Sequence, residues 1–260
     1  VTVNGRSPAL RAILLGASNL RVGLPLVVDL LRRRAGGPVE VLAACGHGRS
    51  YGAWSRFLFV SSLPGIAGCG LWPALEERPP LPTLALLTDV GNDLVYGAEV
   101  SEIVRWVEVC LDRLARQECQ VVLTLLPLAR LERLSPREVR LAVSLLFPGR
   151  QAPWPALLER VRELDERLRR IGRERGALVV EPEASWYGID PIHLRRSRRR
   201  EVWERLTSLA SVSPGVAEAA EPARVRIPLL GAEELRLAGR TLRTVQPAAR
   251  LADGTTVALY

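Results

Sequence analysis

Five short apolar runs, Ala9–Leu15, Val39–Ala44, Thr83–Leu87, Val121–Leu126 and Ala177–Glu181, alternate along this chain with stretches of helical periodicity. Runs of that length suit strands, and Thr83–Leu87 is apolar without alternation, as a strand buried on both faces is. Between them, Glu99–Arg116 repeats Ile103, Val107, Leu111 and Leu114 at helical spacing. Trp154–Arg173 does the same with Leu157, Val161, Leu164, Leu168 and Ile171. Leu24–Arg34 ends at Gly36-Gly37, as helices often do. Leu141–Phe147 and Arg199–Leu209 also read as helical. Alternation of this kind folds as a parallel sheet with helices on both faces. The expected class is therefore α/β: a three-layer α/β/α sandwich on a five-stranded parallel sheet, flavodoxin-like in type.

A length of 260 residues suits one such domain with an addition. Residues 1–210 hold the alternating pattern. Residues 211–223, dominated by Ser, Pro, Ala, Gly, Val and Glu, read as a linker. Residues 224–260 read as a small β appendage, with Asp253-Gly254 as a hairpin turn before Thr255–Leu259. That appendage is expected to cover a sheet edge, form a dimer contact or cap a site.

The formal charge is +8, and every cationic side chain is arginine, since the chain has no lysine. Acidic residues are interleaved with the arginines, notably over Glu159–Glu174, where pairing along a helix face accounts for both. Aromatics do not cluster with the arginines as they do where single strands stack, so nucleic-acid binding is disfavoured. Cys45, Cys69, Cys110 and Cys119 lack metal-ligand spacing and read as buried thiols; no metal or cofactor is expected. Val1–Leu15 lacks a signal-peptide pattern, which gives a cytoplasmic expectation. Phe57–Leu75 carries no charge, yet its prolines and glycines interrupt any spanning helix. It reads as a buried segment lining an apolar pocket, and no transmembrane segment is expected.

Four segments after strand ends carry chemistry. Ser18, in Gly16-Ala17-Ser18-Asn19-Leu20, enters a helix after the first strand, where it either caps that helix or lends its N–H to an oxyanion. Gly48 stands in the Gly46–Ser50 loop after the second strand, where glycine permits a tight turn or close approach. Asn92, after the third, offers uncharged N–H donors to an oxyanion. Asp190 and His193 are three positions apart, so the carboxylate can reach Nδ1 and leave Nε2 free as a base. In open α/β sheets such loops gather on one rim.

These blocks, in order and spacing from Leu10 to Leu209, resemble the SGNH (GDSL-type) hydrolase family. Ala17 stands where that family usually has Asp, the glycine of Asp89-Val90-Gly91-Asn92-Asp93 is shifted by one, and Leu194 replaces a frequent proline. The resemblance implies an esterase, lipase or thioesterase acting on a small-molecule acyl ester or thioester. It implies Ser18, His193 and Asp190 as the catalytic residues, and Ser18, Gly48 and Asn92 as the oxyanion hole. Two other readings stay open. Gly48-Arg49-Ser50-Tyr51-Gly52 also fits a G-x-S-x-G elbow with Ser50 as nucleophile, and the fold could serve as a non-catalytic binding module. Arg195, Arg196 and Arg198–Arg200, beside His193, are a candidate attractor of anionic substrates.

Overall fold

The computed structural model describes residues 7–57, 61–146, 154–209, 225–228 and 231–260. In chain order the first half holds β1 (Leu10–Leu15), α1 (Ser18–Ala35), β2 (Val39–Ala44), β3 (Ser55–Phe57), β4 (Ser61–Leu63), α2 (Leu71–Glu76), β5 (Thr83–Leu87), α3 (Asn92–Val95) and α4 (Val100–Ala115). Then come β6 (Gln120–Thr124), α5 (Leu128–Leu131), α6 (Pro136–Leu146), α7 (Trp154–Glu174), β7 (Leu178–Val180) and α8 (Arg199–Ser208). The last strands are β8 (Glu234–Leu237), β9 (Arg240–Arg243), β10 (Ala249–Arg250) and β11 (Thr256–Leu259).

The five expected strands form the parallel run β2-β1-β5-β6-β7. The connection from β1 runs to β2 on one side, and that from β5 runs to β6 on the other. The crevice beyond the carboxyl ends of β1 and β5 is thus a topological switch point. Alternation along each strand splits the core in two. Leu10, Ala12, Leu14, Val41 and Leu86 meet α1 and α8 on one face. Ile13, Leu15, Leu42, Leu87 and Leu123 meet α2, α4 and α7 on the other. That is the three-layer sandwich. Arg11, buried at the start of β1, is neutralised by Glu40 at 2.6 Å, its partner in register on β2.

The sheet has seven strands rather than five. β11 joins the free edge of β2 in parallel, from Thr256 opposite Glu40 to Leu259 opposite Ala43, and β10 turns back along β11. β8 and β9 instead extend β3 and β4 into a four-stranded antiparallel sheet. The C-terminal strands read from the sequence are therefore present, but both sets are completed by strands from the first 63 residues. Covering a sheet edge is what β11 does. The expected linker, 211–223, lies outside the described residues. Within 57–75, the described residues form strand, 3-10 and short-helix pieces. Ile66, Leu71, Trp72 and Leu75 pack in the core. No helix among the described residues is long and apolar enough to cross a membrane.

Candidate active site

α1 begins at Ser18, six positions earlier than its periodicity indicates, because its cap comes from elsewhere. The Asp89 carboxylate, 72 positions away and beyond β5, accepts Ala17 N–H at 2.9 Å and Leu20 N–H at 3.2 Å. These are donors that a helix start leaves without intrahelical acceptors. Asp89 holds a left-handed backbone, φ 60°, to aim its side chain there. Gly16 lets the turn pass close to β5, since a Cβ at that position would sit 2.3 Å from Thr88 Oγ1. Ser18 makes no side-chain cap. Its Oγ lies 2.8 Å from His193 Nε2.

His193 is delivered by a loop closed at its base. Tyr187 and Leu194 form an antiparallel bridge, and both are buried with Trp186. At the tip, Asp190 Oδ1 accepts the N–H groups of Ile192 at 3.1 Å and His193 at 3.2 Å. Its Oδ2 takes His193 Nδ1–H at 2.6 Å. With Nδ1–H so donated, Nε2 is left to accept the Ser18 hydroxyl proton. The hydrogen bond that His193 donates to Asp190 raises the His193 pKa above 6.5 against an opposing effect of burial, with the charges of Asp190 and Asp89 adding to the rise. Burial pushes Asp190 up, but the His193 hydrogen bond and charge, with the two backbone N–H groups, leave it below its ordinary value.

Asn19 ties the two loops together. Its amide donates to Ile192 O at 2.9 Å and to Asp89 Oδ1 at 2.8 Å. Its Oδ1 accepts Leu194 N–H at 2.8 Å. One side chain therefore grips the backbone on both sides of His193 and the carboxylate that caps the serine turn. Sequence reasoning missed both Asn19 and Asp89. Position beside Ser18 and Asn92 was the one available signal, and it does not say what either side chain touches.

Asn92 opens α3 and lines the same cleft as Ser18. Its Nδ2 makes a single long contact, 3.5 Å, to Arg49 O. Gly48 stands next to Arg49 with φ 62°, and a Cβ there would meet Tyr96 Oη at 2.5 Å. It belongs to the loop that faces Asn92, whose Nδ2 reaches the neighbouring Arg49 O. Asp93 pins that loop. Its buried carboxylate accepts the Ser50 hydroxyl and, at 2.9 Å, Tyr51 N–H. Burial pushes Asp93 up to about 6. Ser50 is wholly buried and also accepts Gly52 N–H at 3.1 Å and Ala53 N–H at 2.8 Å. An elbow nucleophile has to be exposed at the top of the sheet, so the Ser50 reading does not fit.

The cleft combines Ser18, Asn19, Asp89 and Asn92 with an apolar wall from α3, α5 and α7. Three of the cysteines are buried and Cys119 is half-buried, all as free thiols. Among the described residues, no group of three or more His, Cys, Asp or Glu side chains is arranged to hold a metal. In the arginine run, Arg198 pairs with Glu201 and Arg200 with Glu204 on α8.

Neither a protein-family model nor a curated protein sequence matches the chain. Solved structures do. The inhibitor-bound aryl esterase of M. smegmatis superposes with a TM-score of 0.51 at 15% identity, covering 76% of this chain and 97% of that one. A carbohydrate acetylesterase family member from Sinorhizobium meliloti gives 0.50 at 17% identity, covering 76% and 95%. The acetyl xylan esterase AlAXEase gives 0.50 at 12% identity, covering 76% and 98%. With the strand order and switch-point crevice described above, these likenesses identify the architecture: the chain has the SGNH-hydrolase fold.

Proposed function

We propose that the protein is a carboxylic ester hydrolase that works through Ser18, His193 and Asp190. The observation that carries this reading is the unbroken hydrogen-bond chain from Ser18 Oγ through the imidazole to Asp190, at 2.8 and 2.6 Å. Ser18 Oγ attacks the ester carbonyl carbon while its proton passes to His193 Nε2. The oxyanion is held by Ser18 N–H at the start of α1, by the Asn92 amide and by Gly48 N–H. Collapse of the tetrahedral species breaks the carbon–oxygen bond, and His193 returns the proton to the leaving alcohol. Water then attacks the acyl-enzyme, again losing a proton to His193, which passes it to Ser18 as the acid is released. The aryl esterase, carbohydrate acetylesterase family member and acetyl xylan esterase with this fold support the assignment.

A fluorophosphonate probe tests it without knowledge of the substrate. The wild-type protein is expected to label at Ser18, and a folded Ser50→Ala protein is expected to label equally. An inert wild-type protein would favour the binding-module reading, and loss of label in folded Ser50→Ala would return the role to that residue.

The pH dependence follows from the imidazole. Protonated His193 cannot accept the serine proton, so kcat/KM rises with pH and levels off above a midpoint higher than 6.5. Asp190→Asn removes the main cause of the raised pKa. Its midpoint moves down, and its plateau falls about a hundredfold or more because the ring loses its orienting acceptor. A pH–rate profile of both proteins on a neutral ester reads this, and an unmoved midpoint would argue against the Asp190 contact.

A further inference from the structure

We propose that the apolar half of the cleft is the acyl pocket, and that it selects a neutral aliphatic acyl chain of about six carbons or more over acetyl. This rests on the ester-hydrolase reading above. The orientation follows from proton delivery. The leaving oxygen takes its proton from His193 Nε2, so the alcohol portion must lie on the imidazole side of Ser18. Tyr187 and Ile192 of the His193 loop border the cleft at its Ser18 end, and the rest of its wall runs from Ser18 and Asn92 away from that loop toward α5 and α7. The acyl portion therefore points into the wall.

The wall's composition sets the chemistry. Leu94, Leu126, Leu131, Trp154, Leu158 and Val161 all face this space. Trp154 and Val161 are seven residues apart on α7, a span of about 10 Å at 1.5 Å per residue. An acetyl group touches one end of such a wall, whereas a chain of about six carbons runs along it. Among the described residues no arginine lines the cleft, and Asp89, the carboxylate there, is already committed to Ala17, Leu20 and Asn19. An anionic acyl group would find a negative charge and no cation there. Thr124 donates to Leu87 O at 3.4 Å. The cleft thus offers burial rather than new polar contacts.

Each methylene moved from water to this wall is expected to raise kcat/KM roughly threefold until the wall is covered. The test uses p-nitrophenyl acetate, butyrate, hexanoate and octanoate with the wild-type protein, Leu158→Trp and Trp154→Ala. Both side chains are partly exposed, so neither variant excavates the core. Hexanoate, four methylenes longer, is expected to exceed acetate by about eightyfold in the wild type. Leu158→Trp, which fills the pocket, removes most of that preference, and Trp154→Ala moves the optimum to longer chains. Calorimetric binding of hexanamide against acetamide adds a readout that needs no turnover: hexanamide binds more tightly, and Leu158→Trp weakens it tenfold. Best activity on acetate, or a chain-length profile and hexanamide affinity that ignore Leu158→Trp, overturns the proposal. Absence of hydrolysis at every chain length would instead overturn the ester-hydrolase reading, while hexanamide binding still decides what the wall holds.

Discussion

Replacing Ser18 by alanine is expected to lower kcat on an acyl ester by at least about four orders of magnitude and to leave the fold intact. The size follows from what a nucleophile contributes once its base and oxyanion donors are in place. The tolerance follows from the contacts. The Ser18 hydroxyl bonds His193 rather than capping α1, and the N-terminal donors of that helix are held by Asp89. Alanine, moreover, is the better helix former. Steady-state kinetics on a chromogenic ester, read beside the thermal midpoint of the variant, check both halves. A folded Ser18→Ala protein with full activity would remove the basis of the assignment.

Asn92→Ala should give the second largest loss, about a hundred- to a thousandfold in kcat with KM little changed. An oxyanion donor acts on charge that develops only in the transition state. Among the described residues the Asn92 amide nitrogen makes one long contact, to Arg49 O, which contributes little to folding. Asp93, one position on, behaves in the opposite way. It is buried and bonds Ser50 and Tyr51, so its loss should be seen in the loop and in stability first. A variant that lowered KM-dependent binding while sparing kcat would place Asn92 at substrate recognition instead of the oxyanion.

The parallel sheet was legible because its strands are buried on both faces, and burial writes itself into the chain as uninterrupted apolar runs. Thr83–Leu87 and Val39–Ala44 have the same limits by pattern and by structure. The meeting of Ser18 with the Asp190-His193 pair was legible because turns after strands, on one rim of such a sheet, leave few places for a hydroxyl and an imidazole to meet. Three things were not. The start of α1 depends on a carboxylate 72 positions away, and no local signal carries that. The bonds of Asn19 depend on where the His193 loop folds back. The destination of the C-terminal strands depends on free edges elsewhere, and an alternating strand looks the same whichever edge it joins. Gly48 is an intermediate case: its tight turn was readable from its neighbours, the close approach of Tyr96 to it was not.

The pairing of β11 with β2 has a consequence for synthesis. Thr256 lies opposite Glu40, so one side of the sheet stays open until more than two hundred further residues have left the ribosome. Loop closure over that separation is slow compared with local helix formation. Until it happens, the nascent chain presents β2 as an exposed rim with its N–H and C=O groups unsatisfied. That edge is therefore closed only when β11 arrives, and the interval before it is when neighbouring nascent chains can cross-pair.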